Sequence, residues 1–207
     1  DARLARISAS SARIYSLPSQ CAAIIVILIM DFRSRGKSMP SRIYLLRHAK
    51  AAAALPGQKD FDRSLDSSGV AMASKLGETM LANGFVPEMV ICSPSARTRE
   101  TWAAVAKLLP FDIEAEFDRA LYDGPPGAYV NAIRRAGLAG SVMIVGHNPM
   151  TEEAALDLAG SGNSGAVTGL NMGYPTAGLA IFDQEEPLGS TKPGSAHLVA
   201  FVTGGVM

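Results

Sequence analysis

The sequence predicts an α/β fold: a three-layer α/β/α sandwich on a central, mainly parallel sheet. Three patterns carry that expectation. Short apolar runs alternate with segments of helical spacing, the order expected of a parallel sheet covered on both faces. The run Val142-Met143-Ile144-Val145 is apolar throughout, as a strand buried on both sides must be. The run Arg42-Ile43-Tyr44-Leu45-Leu46 stops abruptly on Arg47-His48, and in open sheets of this kind ligands bind at the carboxyl ends of the strands.

The 207 residues suffice for one sizeable core and fall short of two ordinary domains. A hydrophobic share of 48%, with 20 Gly and 12 Pro, marks a globular chain. Lys+Arg and Asp+Glu balance at 19 each, which speaks against a non-specific nucleic-acid binder. Any recognition of an anion has to come from a few cations gathered locally. Cys21 and Cys92 supply neither a disulfide framework nor a zinc pattern. Cys92 lies in an apolar run and reads as a small buried hydrophobe, and this cysteine usage fits a reducing, cytoplasmic setting.

Residues 1–38 read apart from residues 39–207. Arg3, Arg6 and Arg13 lie among Ser and Ala, ahead of the apolar run at 21–30. That run is shorter than the roughly 18–20 apolar residues a membrane crossing needs, so no membrane association is expected. Its length and basic flank resemble the apolar centre of a signal peptide, yet Asp31-Phe32-Arg33-Ser34 follows without a small-residue cleavage site. The favoured reading makes Met39 the natural start and 1–38 an N-terminal extension outside the folded domain. Packing of residues 28–30 as an extra strand stays open.

Taken in order, the first strand gives way to a polar loop at 51–62 with the turn signal Pro56-Gly57. Asp66, Ser67 or Ser68 can cap a helix running to about Asn83, with Val70, Met72, Ala73, Leu76, Met80 and Leu81 as its apolar stripe and Gly84 as its stop. Met89-Val90-Ile91-Cys92 is the second strand, ending on Ser93-Pro94. A helix from Ser95 to about Leu109 follows, stopped by Pro110. Residues 113–117 read as a short edge strand, 121–126 as a loop, and 128–136 as a helix with Val130 and Ile133 inward. The strand at 141–145 ends on Gly146-His147-Asn148-Pro149, and a helix at 151–159 follows it. The Gly/Ser/Asn-rich stretch 160–173 reads as a loop. Strands at 178–182 and 197–202 finish the chain.

Three strand ends thus deliver polar groups to one edge: Arg47 and His48, Ser93 with Arg97 a helical turn on, then His147 and Asn148. The loop after the first strand adds Asp60, Asp62 and Arg63. A guanidinium offers a planar fork of donors matched to phosphate oxygens and keeps its charge at physiological pH. Arg97 near a helix start adds the partial positive charge of the helix end. Two histidines and three arginines converging in this way point to a dianionic ligand, phosphate above all.

These segments carry a resemblance. Arg47-His48-Ala49 looks like the Arg-His-Gly signature of the histidine phosphatase superfamily, also named after phosphoglycerate mutase. Ser93-Pro94-Ser95-Ala96-Arg97-Thr98-Arg99-Glu100-Thr101 is similar to its Ser-Pro-x-x-Arg-x-x-x-Thr segment, and Val145-Gly146-His147-Asn148-Pro149 to its second-histidine segment. Asp60-x-x-Arg63-x-Leu65 and Tyr174-Pro175-Thr176-Ala177-Gly178-Leu179 look most like the compact SixA-type phosphohistidine phosphatase branch. The resemblance runs from about Ser41 to the end, with Ala49 in place of the usual Gly.

The resemblance implies a metal-independent phosphatase without a cofactor. His48 would attack phosphorus and carry the phosphoryl group as a covalent intermediate until water removes it. Arg47, Arg63, Arg97 and His147, with Asn148 beside them, would hold the phosphoryl oxygens. Asp60, by its position before Arg63, is the first choice of proton donor and Asp62 the second. Phosphohistidine on a protein, such as a phosphotransfer domain, is the implied substrate, with a small phosphate ester as the alternative. Bland readings compete: Arg63 and Asp60 as a surface ion pair, Arg97 as a helix-surface cation, His147 as the start of a turn, Arg99 and Lys50 as solvated cations, Trp102 as core, His197 as an ordinary strand residue. The contrasting class is a phosphate-binding module without turnover, which would need the arginines and no nucleophile.

Overall fold

The computed structural model describes residues 40–204. The expected extension at 1–38 and its apolar run lie outside the described residues. The strands are β1 (Ser41–Arg47), β2 (Met89–Cys92), β3 (Ala115–Phe117), β4 (Ser141–Gly146), β5 (Ala159–Gly162), β6 (Gly178–Gln184) and β7 (Ala196–Thr203). They form a 7-stranded sheet in the order β3-β2-β4-β1-β6-β7-β5. β1–β4, β2–β4, β2–β3 and β5–β7 pair parallel, while β6 runs antiparallel to both β1 and β7. The helices are α1 (Ser67–Ala82), α2 (Ala96–Ala106), α3 (Ala120–Asp123), α4 (Ala128–Arg135), α5 (Met150–Leu158) and α6 (Ser164–Asn171).

Alternation along the central strands builds a core on each face. Ile43 and Leu45 of β1, with Val142 and Ile144 of β4, pack with Ile133 of α4, Ala155 and Leu158 of α5 and Leu170 of α6. Tyr44, Leu46, Met143 and Val145 turn the other way, onto Ala73, Leu76 and Met80 of α1 and Trp102 and Val105 of α2. This is the expected three-layer sandwich, and Trp102 is core.

Asp66 caps α1 by accepting from Gly69 N at 2.7 Å. Its buried stripe is Gly69, Ala73, Leu76, Gly77 and Met80, whereas the expected Val70 and Leu81 are about half exposed. Glycine lines this face because α2 comes close: a Cβ on Gly77 would lie 3.0 Å from Val105 O.

Two expected loops are ordered elements. Residues 121–126 begin within α3, which buries Leu121. The 160–173 stretch holds most of β5 and all of α6: β5 pairs with β7, and α6 buries Ala166 and Leu170. Small residues that give no hydrophobic period can still close a ladder on a neighbouring strand. His197 is an exposed strand residue, its Nδ1 2.8 Å from Ser161 Oγ on β5 and its Nε2 3.3 Å from Asn163 Oδ1. No helix among the described residues is long and apolar enough to cross a membrane.

Candidate active site

Register assembles the site. Arg47 is the Cα partner of Gly146, and Cys92 of Val145, so the parallel strands β1, β2 and β4 end almost level. The ladder continues one residue further, with His48 N donating to Gly146 O at 3.0 Å and Ser93 N to Val145 O at 2.9 Å. His48, Ser93 and His147 therefore leave the sheet side by side. The two imidazoles lie 5.2 Å apart between ring centroids.

His48 Nδ1 is 2.7 Å from Ala49 O. A carbonyl only accepts, so Nδ1 carries the hydrogen and the Nε2 lone pair is free. Burial pushes the imidazole down to about 4, with Arg97, Arg47 and Arg63 adding to it against the opposing Ala49 hydrogen bond. The ring is neutral at physiological pH, as a nucleophile must be. Ala49 fits where glycine was expected: it is fully buried, its N donates to Thr101 Oγ1 at 3.0 Å, and it is not among the residues of positive φ. Thr101 Oγ1 in turn donates to Arg97 O at 2.6 Å, tying the end of β1 to the first turns of α2.

His147 is 9% exposed and closes β4. Its N donates to Tyr129 Oη at 2.8 Å, and its carbonyl accepts from Thr151 N at 2.8 Å. Nε2 lies 2.8 Å from Ser93 Oγ, while Nδ1 is buried without a partner. Burial, then Arg97 and His48, push this ring down to about 3. Arg47 donates through Nη1 to Tyr174 O, and its buried Nε is also unpartnered. Buried nitrogens without a partner on neighbouring residues call for an acceptor, and a phosphoryl oxygen is one.

Arg97 is 7% exposed, so it is not a helix-surface cation. Its Nη1 donates to Asp60 O at 2.7 Å and its Nη2 to Asp60 Oδ2 at 2.9 Å. Arg63 donates to Asp60 Oδ1 at 2.9 Å through Nη1, and to Ala52 O through Nε and Nη2 at 3.1 and 2.9 Å. Tyr122, which was not singled out in the sequence, adds its hydroxyl to Asp60 Oδ2 at 3.1 Å. Its ring meets His147 edge-on at 5.5 Å and lies beneath the Arg97 guanidinium at 5.9 Å. Only the placement of α3 brings it here, and the residues around it carry no motif.

These contacts bear on the roles expected of Asp60, Asp62 and Asn148. Desolvation nudges the Asp60 carboxyl up, but the Arg63 hydrogen bond and the nearby Arg97 outweigh it and hold the group below the usual carboxylate range. An ionised carboxylate between two guanidiniums has no proton to give at neutral pH, which counts against Asp60 as donor. Asp62, the second choice, is exposed, and its carbonyl accepts from Gln58 Nε2 at 3.0 Å. Asn148 spends its amide N–H groups on Glu152 Oε2 at 2.9 Å and Tyr174 O at 3.3 Å, and its remaining buried Oδ1 is an acceptor. These contacts tie Asn148 to α5 and to the Tyr174 segment. Lys50 and Arg99 are exposed, as expected, with Lys50 Nζ 3.1 Å from Asp66 Oδ2.

The model of the histidine phosphatase superfamily (branch 1) matches residues 43–129, a span that holds Arg47, His48, Arg63 and Arg97 and stops before His147. An uncharacterised protein of Mycobacterium tuberculosis strain H37Rv is 33% identical over 159 residues, which cover 75% of this chain and 98% of that protein. A solved structure from Agrobacterium tumefaciens, assigned as the phosphohistidine phosphatase SixA, is 34% identical with a TM-score of 0.66, covering 80% of this chain and 99% of that one. Another with the same assignment, from Nakamurella multipartitia, shares the fold at a TM-score of 0.68 and 24% identity, covering 80% of this chain and 97% of that one. The chain belongs to the histidine phosphatase superfamily and is a phosphatase. Within the superfamily its likeness is to the compact SixA-like branch.

Proposed function

We propose that this phosphatase removes the phosphoryl group from phosphohistidine on a protein, through a covalent phosphohistidine intermediate on His48. The observation that carries the nucleophile is the His48 ring, neutral and with its Nε2 lone pair left free by the Nδ1 contact to Ala49 O. Nε2 attacks phosphorus as the bond from phosphorus to the substrate nitrogen breaks. Water then attacks the phosphoryl group on His48, releasing inorganic phosphate and restoring the free ring. Arg47, Arg97, Arg63 and His147 surround the phosphoryl oxygens and stabilise the charge that builds on them.

The ionised state of Asp60 supports the choice of substrate. An alkyl ester needs a proton at its bridging oxygen as the bond breaks, and a carboxylate paired to two arginines supplies none. A phosphorylated imidazole takes its proton from solvent at the second ring nitrogen and leaves neutral. The 34% identity to a protein assigned as a phosphohistidine phosphatase points the same way. The short α3, which sets Tyr122 against His147, is a small rim that suits a protein surface better than an engulfed metabolite. On this reading the protein acts in phosphorelay signalling in the cytoplasm.

The test is rapid mixing with a radiolabelled phosphohistidine phosphotransfer domain, quenched in alkali. Label is expected on the wild-type protein and absent from His48→Asn, with kcat/KM at least about tenfold above that for a panel of small phosphomonoesters. A panel member turned over faster than phosphohistidine would assign the site to small esters. Binding without turnover or label would leave a phosphate-binding module.

A further inference from the structure

We infer that Ser93 is a positioning residue that fixes which nitrogen of His147 carries the ring hydrogen, making His147 an N–H donor to the phosphoryl group through Nδ1. The inference rests on the phosphoryl-binding role proposed above and is independent of which phosphorylated compound is the substrate.

Ser93 and His147 end neighbouring strands, and both are buried. Ser93 is held from several sides: its N donates to Val145 O at 2.9 Å, and its carbonyl accepts from Thr98 Oγ1 at 2.7 Å. Its Oγ makes one hydrogen bond among the described residues, to His147 Nε2 at 2.8 Å. Two arrangements satisfy that distance. If Nε2 carried the hydrogen, Ser93 Oγ would accept it and the serine's own hydrogen would be buried with no acceptor, which native structures avoid. If Ser93 donates, Nε2 accepts and both the serine hydroxyl and that ring nitrogen are satisfied. The second arrangement places the hydrogen of an uncharged ring on Nδ1.

That nitrogen is the one left buried and without a partner on a residue only 9% exposed. The His48 ring is 5.2 Å away, and the unpartnered Nε of Arg47 belongs to the same site. Burial and the guanidinium of Arg97 hold His147 at about 3, so its ring does not obtain a second hydrogen by becoming charged at neutral pH. A lone pair on Nδ1 would repel the phosphoryl oxygens; an N–H there binds them. The serine hydroxyl decides between the two.

Protein labelled with 15N-histidine would show this directly, since two-bond proton–nitrogen correlation spectra separate the two ring tautomers. In the free wild-type protein His147 is expected with hydrogen on Nδ1 and an unprotonated Nε2. In Ser93→Ala the ring shifts toward the form with hydrogen on Nε2, and the affinity for inorganic phosphate falls about tenfold or more, the loss expected of one hydrogen bond to a charged group. Hydrogen on Nε2 in the wild-type protein would overturn the inference, and that measurement stands even if Ser93→Ala fails to fold. A folded Ser93→Ala with unchanged tautomer and unchanged phosphate affinity would overturn it as well. Should phosphohistidine prove a poor substrate while the tautomer and phosphate binding behave as stated, the substrate reading falls and the role of Ser93 stands.

Discussion

At the scale of single residues, chemistry is set by what each polar atom finds as a partner. His48 keeps the lone pair of Nε2 free because a backbone carbonyl occupies its other ring nitrogen. Asp60 has the opposite fate: two arginines and a tyrosine hydroxyl claim its carboxylate, leaving it an anchor for guanidiniums. Asp60→Asn is therefore expected to raise KM roughly tenfold, by loosening Arg97 and Arg63, with the same loss on good and poor leaving groups. Steady-state kinetics on aryl phosphates of graded leaving-group acidity checks this; a loss that grows as the leaving group worsens would restore Asp60 as a proton donor. That Arg47, His48, Arg97 and His147 lie together was legible in the sequence because each sits in a short motif at or just beyond a strand end, while Arg63 was reached through the loop motif Asp60-x-x-Arg63. The contacts of Asn148 with Tyr174 and of Tyr122 with Asp60 were not legible for one reason: the partners lie far apart along the chain, and no local pattern records such meetings.

At the scale of elements, the level ends of β1, β2 and β4 do the assembling, and Gly146 is the position that permits it. A Cβ there would overlap the Tyr129 hydroxyl, which receives the His147 N–H. Gly146→Ala is expected to cost about 1–3 kcal/mol of stability, as overpacked cores do, and to lower kcat by tilting His147. Urea denaturation alongside kinetics measures both; full activity at full stability would contradict this account of the glycine. Apolar strands and long helices were readable from their periods. β5 and α6 were not, because Gly160-Ser161-Gly162 owes its strand form to pairing with β7 rather than to its own composition. The α1 stripe was misdrawn for a related reason: close approach to α2 favours Gly77, which no hydropathy pattern counts as core.

At the scale of the molecule, the cores on the two sheet faces hold a charged and partly unpaired site at their common edge, and pH tests that coupling. Both imidazoles titrate lower in the folded protein, about 4 for His48 and about 3 for His147, than the ordinary value of 6.5. As pH falls, the unfolded chain takes up protons first, so the stability these rings permit is intact above about 6.5 and declines steadily down to about 4 and below. Asp66, held down to about 2 by the Ser68 and Gly69 hydrogen bonds, loses its contribution only at lower pH, in the same direction. Thermal midpoints should therefore fall between about pH 7 and about pH 4, and the fall should flatten in a double His48→Asn, His147→Asn variant. An equal slope in wild type and variant would place the acid sensitivity elsewhere.

The paired imidazoles ride on β1 and β4, interior strands of the sheet, while β3 and β5 form its borders. Local fraying begins at such borders, where fewer neighbours restrain the backbone. The pair of imidazoles is thereby insulated from the breathing of that margin: a graft, a nick or a passing deformation at β5 reaches the histidines only after β7 and β6 have given way.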